Sequence, residues 1–132
     1  MGSNLLLASE DWVLFFSRPS MSGTMTIAPP HPDEVLRQYT LDCFNILDTA
    51  ADEYLETLVR VAQSAFGVET VLISLIDRER QWFKARLGLS VSETHRDISF
   101  CSHTILQTDS LVIPDALNDP RFSTNPLVEN SP

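Results

Sequence analysis

Val68-Glu69-Thr70-Val71-Leu72-Ile73-Ser74-Leu75-Ile76 is rich in β-branched side chains and nearly continuous in apolar character. A strand covered on both faces has this composition, because neither face can carry a water-seeking side chain. Asp77 to Arg80 follows as a charged turn. Gln81 to Leu87 then alternates, with Trp82, Lys84 and Arg86 on one side and Phe83, Ala85 and Leu87 on the other. Together the two segments predict an antiparallel hairpin ended by Gly88.

Upstream of the hairpin, Leu55, Leu58, Val59, Ala62, Ala65 and Phe66 recur at three- and four-residue spacing, which predicts a helix from about Ala50 to Phe66. Thr49 with Asp52 resembles a capping box at its start, Glu53 adds favourable charge there, and Gly67 stands where a left-handed cap ends a helix. Each large aliphatic side chain buried from that stripe stabilises by about 1.5–3 kcal/mol, so the stripe needs a sheet to pack on. Asp33 to Leu47 reads as a shorter helix with an imperfect stripe of Val35, Leu36, Tyr39, Leu41, Phe44 and Ile46.

Downstream, Ser90 to Asp97 is polar enough for an exposed loop, and Ser99 is placed to cap a short helix reaching Leu106. Leu111 to Ile113 reads as a third strand. From Pro114 onward, Asn118-Asp119-Pro120 and Asn125-Pro126 are turn formers, which predicts an ordered loop with Phe122, Leu127 and Val128 pinned inward.

These strings, taken in order, resemble a GAF domain of the kind found ahead of histidine kinases and diguanylate cyclases in bacterial sensors. The resemblance rests on Ile46-Leu47-Asp48-Thr49, Ala65-Phe66-Gly67-Val68, Leu72-Ile73-Ser74-Leu75-Ile76-Asp77 and Gln81-Trp82-Phe83-Lys84. It continues through Arg96-Asp97-Ile98-Ser99-Phe100-Cys101, Asp119-Pro120-Arg121-Phe122 and Asn125-Pro126-Leu127-Val128. It implies an α+β, PAS-like fold, an antiparallel sheet flanked by helices. In that family further strands and a C-terminal helix follow the point where this sequence stops, and one late strand lies beside the first. The resemblance therefore implies a domain incomplete at its C-terminus, with an unpaired edge on the 68–76 strand.

The chain has 132 residues, 43% of them hydrophobic and 20% charged, enough for one globular core. Lys and Arg number 9 against 18 Asp and Glu, for a net charge of −9, which would repel a phosphate backbone and argues against nucleic acid as a partner. Cys43 and Cys101 lack any CxxC or Cys/His spacing, so neither a disulfide framework nor a metal site is expected. Residues 1–32 read as a disordered or loosely ordered leader and 33–132 as the partial domain. Met21 and Met25 inside that leader are candidate translation starts. No stretch approaches the roughly 20 apolar residues of a membrane span, and no basic residue precedes the first apolar segment as an export signal would require. The expected location is the cytoplasm.

Cys101 and His103 are the residues that invite a catalytic or cofactor reading. Residues two apart on a helix point about 200° away from each other, so the pair does not meet on a regular helix. The structural reading, with Cys101 a small buried side chain and His103 a surface or hydrogen-bonding one, is preferred. Bilin-binding members of the family carry Cys followed directly by His, whereas Ser102 intervenes here, and nothing supports haem, so no cofactor is expected. Trp82 and Phe83 are expected to place one ring in the core and one at the solvent edge. Lys84 and Arg86 are assigned to a solvated sheet face. Arg96-Asp97 and Asp119 with Arg121 read as loop-fixing ion pairs, and equally as an Arg held at a pocket mouth to bind a carboxylate or phosphate.

The resemblance places a pocket between the sheet and the Ser99–Leu106 helix. Its candidate lining is Ser74, Phe83, Phe100, Cys101, Thr104, Asp115, Arg121 and Phe122. It implies a sensor that binds a small molecule or simply relays a state change to a histidine kinase or diguanylate cyclase output, with a homodimer as one arrangement and no catalysis of its own. A reductase of free methionine sulfoxide built on the same fold, or a ligand-free dimerisation module, are the alternatives.

Overall fold

The computed structural model describes residues 25–129, so most of the expected leader, residues 1–24, lies outside the described part. Six elements build the sheet and its flanking layers: α1 (Glu34–Phe44), α2 (Glu53–Phe66), β1 (Val71–Ile76), β2 (Arg80–Leu87), β3 (Glu93–His95) and α3 (Phe100–Thr104). A 3-10 turn at Arg96–Ile98 leads into α3, and a short α4 (Pro126–Glu129) follows it in the C-terminal segment. The architecture is the expected α+β one, an antiparallel sheet of order β1-β2-β3 flanked by helices.

β1 and β2 form the predicted hairpin, closed where the Asp77 N–H donates to the Arg80 carbonyl at 2.8 Å. The first strand is shorter than its apolar run, beginning at Val71 rather than Val68. At the far end of the hairpin Gly88 adopts φ +77°, and a Cβ there would collide with the Glu69 carbonyl, so the close approach of the two segments requires glycine.

The pairing is not a simple alternation. Ile73 lies opposite Ala85 and Ser74 opposite Phe83, which leaves Lys84 as the extra residue of a bulge. Gln81, Phe83 and Arg86 consequently share a face with Ser74, while Trp82 and Ala85 share the other with Ile73 and Leu75. This corrects the expectation that Arg86 stands on the Trp82 face. Lys84 turns toward the start of α2, donating to Thr49 Oγ1 and the Ala50 carbonyl at 2.7 Å each and lying 5.9 Å from the Trp82 ring centroid. Trp82 and Phe83 are both buried, one under each layer, so neither ring sits at the solvent edge.

Two further expectations fail in the sheet. The third strand is β3, inside the segment expected to be an exposed loop, and Leu111 to Ile113 is not a strand. β3 has no apolar alternation to betray it. Its pairing is a backbone affair reinforced by Arg80, whose Nη1 lies 2.7 Å from Glu93 Oε2. Leu111 and Ile113 instead pack against the cluster of Phe100, Phe122 and Val128. Along its other edge β1 is paired with no strand among the described residues.

α2 covers the Trp82 face, with Val59 only 1% exposed at its centre. Its cap is Asp52 rather than Thr49: the Asp52 carboxylate accepts from the Tyr54 and Leu55 N–H groups at 3.0 and 3.1 Å. Thr49 is unavailable because its hydroxyl donates to the Ile46 carbonyl at 2.6 Å and meets Lys84. Gly67, at φ +62°, ends the helix as predicted. In α1 the expected stripe is not covered: Leu41 and Gln38 are buried, whereas Val35 is 86% exposed and Leu36, Tyr39 and Phe44 are exposed too. Polar bonds dock this helix. Arg37 Nη1 donates to the Ile76 carbonyl at 2.6 Å and Gln38 Nε2 to Asp77 Oδ1 at 2.9 Å.

Candidate functional site

The face of the sheet opposite α2 meets α3, and the C-terminal segment packs on α3 through Phe122 and Phe100. α3 starts as predicted, with Ser99 Oγ accepting from the Ser102 N–H at 3.2 Å, and Ser102 Oγ donates back to the Arg96 carbonyl at 2.9 Å. This double tie sets the helix start against the 3-10 turn. Asn125 secures the C-terminal segment to the same turn, its Nδ2 donating to the Ile98 carbonyl at 2.9 Å.

Between sheet and helix lies a small polar group. Gln81, buried at 5% exposure, donates through Nε2 to Ser74 Oγ at 2.9 Å, and Ser74 Oγ lies 3.5 Å from Cys101 Sγ. Sulfur is a weak acceptor, so this last contact adds little. Thr94 stands opposite Gln81 in the β2-β3 register, and its buried Oγ1 has no hydrogen-bond partner among the described residues. A buried hydroxyl left unpaired costs about 1–3 kcal/mol. Phe83, buried, occupies the adjoining row opposite Ser74.

The candidate residues divide into three sets. Ser74, Phe83 and Cys101 share this face, and Thr104 is half-buried on α3 with its hydroxyl donating to the Phe100 carbonyl at 3.3 Å. Phe100 and Phe122 stack with ring centroids 4.3 Å apart, and Phe122 is 0% exposed, so this pair is core. Arg121 and Asp115 serve their own loops. Arg121 makes a two-pronged bond to Asp119, at 2.9 and 2.6 Å, with its guanidinium 5.0 Å from the Phe122 ring, which is the predicted ion pair. Asp115 is exposed and accepts from the Leu117 and Asn118 N–H groups. Gln81 and Thr94 escaped sequence reasoning; a lone Gln or Thr in a strand carries no signal until register places it.

Of the two placements expected for His103, surface or hydrogen-bonding, the structure shows the second, a hydrogen bond with the Thr26 backbone. The ring is buried, edge-on to Phe122 with centroids 4.9 Å apart. Burial pushes its pKa below the ordinary value and nearby Arg121 adds to this, against a hydrogen bond with the Thr26 backbone and the charge of Asp119. Cys101 is half-buried rather than enclosed. The Arg96-Asp97 pair does not form either: Arg96 Nη1 bonds Glu34 Oε1 at 2.6 Å, and hydrogen bonds from Arg37 and Arg96 hold the Glu34 carboxyl far below the usual range. Arg96 is thus already engaged, as is Arg80, which pairs with Asp48 at 2.6 Å. Among the described residues no three His, Cys, Asp or Glu side chains converge as metal ligands would, and no helix is long and apolar enough to cross a membrane.

The family model for the GAF domain matches residues 50–132. The chain is also similar to a cyclic di-GMP phosphodiesterase of Pseudomonas aeruginosa, 42% identical over 105 residues, or 79% of this chain. It spans 18% of the length of that relative.

Proposed function

The chain belongs to the GAF domain family, and on that premise we propose that it is the small-molecule input of a bacterial signalling protein. A sensory or regulatory role in signalling is supported by the family and by the relative alike. The observation that carries the finer reading is the polar group of Gln81, Ser74 and Cys101 between sheet and α3, with a Thr94 hydroxyl beside it that is unpaired among the described residues. Buried polar atoms persist where something completes their hydrogen bonding.

The output proposed is an enzyme elsewhere in a longer protein. The matched relative is named a cyclic di-GMP phosphodiesterase, which adds that class to the histidine kinase and diguanylate cyclase implied by the resemblance. The proposed location is the cytoplasm. Occupancy of the site would favour one of two arrangements, and the helices would carry the difference onward.

Dimerisation is a second reading, favoured by the exposed apolar side chains of α1 and α2, among them Val35, Leu36, Phe44, Tyr54 and Phe66. A sulfoxide reductase reading has less support, since Cys43 is exposed on α1 while Cys101 sits on α3, both as free thiols. Thermal melting against a panel of metabolites, with mass measured over a range of concentrations, tests these readings. A ligand-dependent rise in melting temperature is expected; dimerisation without any such rise would overturn the sensing role.

A further inference from the structure

We propose that the Gln81 and Thr94 pair, with Ser74 and Cys101 beside it, receives an uncharged amide-type group of a small ligand: a carboxamide or lactam offering a donor and an acceptor side by side. This rests on the small-molecule reading above and names the chemistry the site accepts.

Gln81 commits one N–H to Ser74 Oγ at 2.9 Å, and its Oε1 makes no hydrogen bond among the described residues. It therefore offers a free acceptor. Across the β2-β3 register Thr94 presents a hydroxyl that is buried and has no partner among the described residues. Directly paired residues on one face of an antiparallel sheet hold their side chains within reach of a common small group. An amide fits both: its N–H donates to Gln81 Oε1, and its carbonyl accepts from Thr94 Oγ1.

Other ligand chemistries fit less well. An anion buried here would need a counter-charge, yet Arg80 is held by Asp48 and Glu93, and Arg96 by Glu34. Arg86 shares the face but lies opposite Leu72, two rows from Gln81, and is exposed. A purely apolar group would leave the Thr94 hydroxyl as unsatisfied as before.

The matched pair nicotinamide and nicotinate, which differ in carboxamide against carboxylate, tests this by amide NMR titration of the full chain. Nicotinamide should shift the Gln81 side-chain NH2 and Thr94 resonances, with nicotinate weaker by about tenfold or more. Gln81→Leu should abolish the nicotinamide response. Thr94→Val guards against a folding defect, because it removes the unpaired hydroxyl: it should raise the melting temperature of the free protein while weakening nicotinamide. Equal binding of nicotinate, or of benzene, at this site would overturn the amide assignment and leave small-molecule sensing standing. Shifts by neither amide nor anion would overturn the assignment, and the metabolite melting panel would then decide separately whether the sensing reading survives. A fall in melting temperature for Thr94→Val would show that its hydroxyl is already satisfied, which also overturns it.

Discussion

Arg96 reaches across 62 positions of sequence to Glu34, Nη1 to Oε1 at 2.6 Å, and so joins the turn that starts α3 to the first helix. The same carboxylate accepts from Arg37 at 2.9 and 2.6 Å, and Arg37 in turn donates to the Ile76 carbonyl. One acidic side chain thus connects α1, the end of β1 and the approach to the candidate site.

Charge-assisted bonds of this kind contribute about 1.5–3 kcal/mol each when partly shielded, and Glu34 keeps 24% of its side-chain exposure. Glu34→Gln should therefore destabilise by about 1–3 kcal/mol near neutral pH, read by urea unfolding. Because the folded pKa is depressed, the stabilisation is fully present above the ordinary value of 4.5 and is lost as pH falls below it toward the folded value. The gap between wild type and variant should close in acid. A gap that stays constant would show that Glu34 does not titrate with folding.

His103 is held below its ordinary value of 6.5 chiefly by burial. Such a histidine binds its proton less readily folded than unfolded, so its contribution is fully present above 6.5 and declines as pH falls toward the folded pKa. The ring protons in a pH-dependent NMR series should show a midpoint under 6.5. A midpoint above that value would contradict the buried, Phe122-facing placement.

Phe122 has no exposed surface and stacks on Phe100 at 4.3 Å between centroids. Phe122→Ala should cost about 3–5 kcal/mol by cavity formation, with Phe122→Leu losing less. Equal melting temperatures for wild type and Phe122→Ala would refute a core on this side of the sheet.

β1 carries β2 along one edge and no strand along the other among the described residues. Alternate amides within Val71 to Leu75 should therefore exchange with solvent much faster than their neighbours in dilute solution, because only every second N–H points toward β2. Uniformly strong protection in a monomer would contradict the open edge.

Local signals were legible where physics is local. Val59 and Leu55 mark α2 by spacing, Gly67 stops it at φ +62°, and Ser99 caps α3 through its own hydroxyl. What could not be read depends on partners distant in sequence. β3 is polar and exists because β2 offers it an edge, whereas Leu111 and Ile113 look strand-like but are claimed by Phe100 and Phe122. The bulge at Lys84 re-aims Arg86, and the alternation of residue types carries no trace of it. The candidate site was half visible: Ser74, Phe83 and Cys101 were anticipated, while Gln81 and Thr94 acquire meaning only through strand register.

The claim that this domain senses a small molecule between sheet and α3 is tested most directly by mapping amide NMR shifts on the intact chain against a metabolite panel. At least one compound is expected to give shifts that cluster on Ser74, Gln81, Phe83, Thr94 and Cys101 and saturate with concentration. A saturating ligand whose shifts fall on the exposed faces of α1 and α2 instead, or a panel that moves none of these resonances, would contradict it.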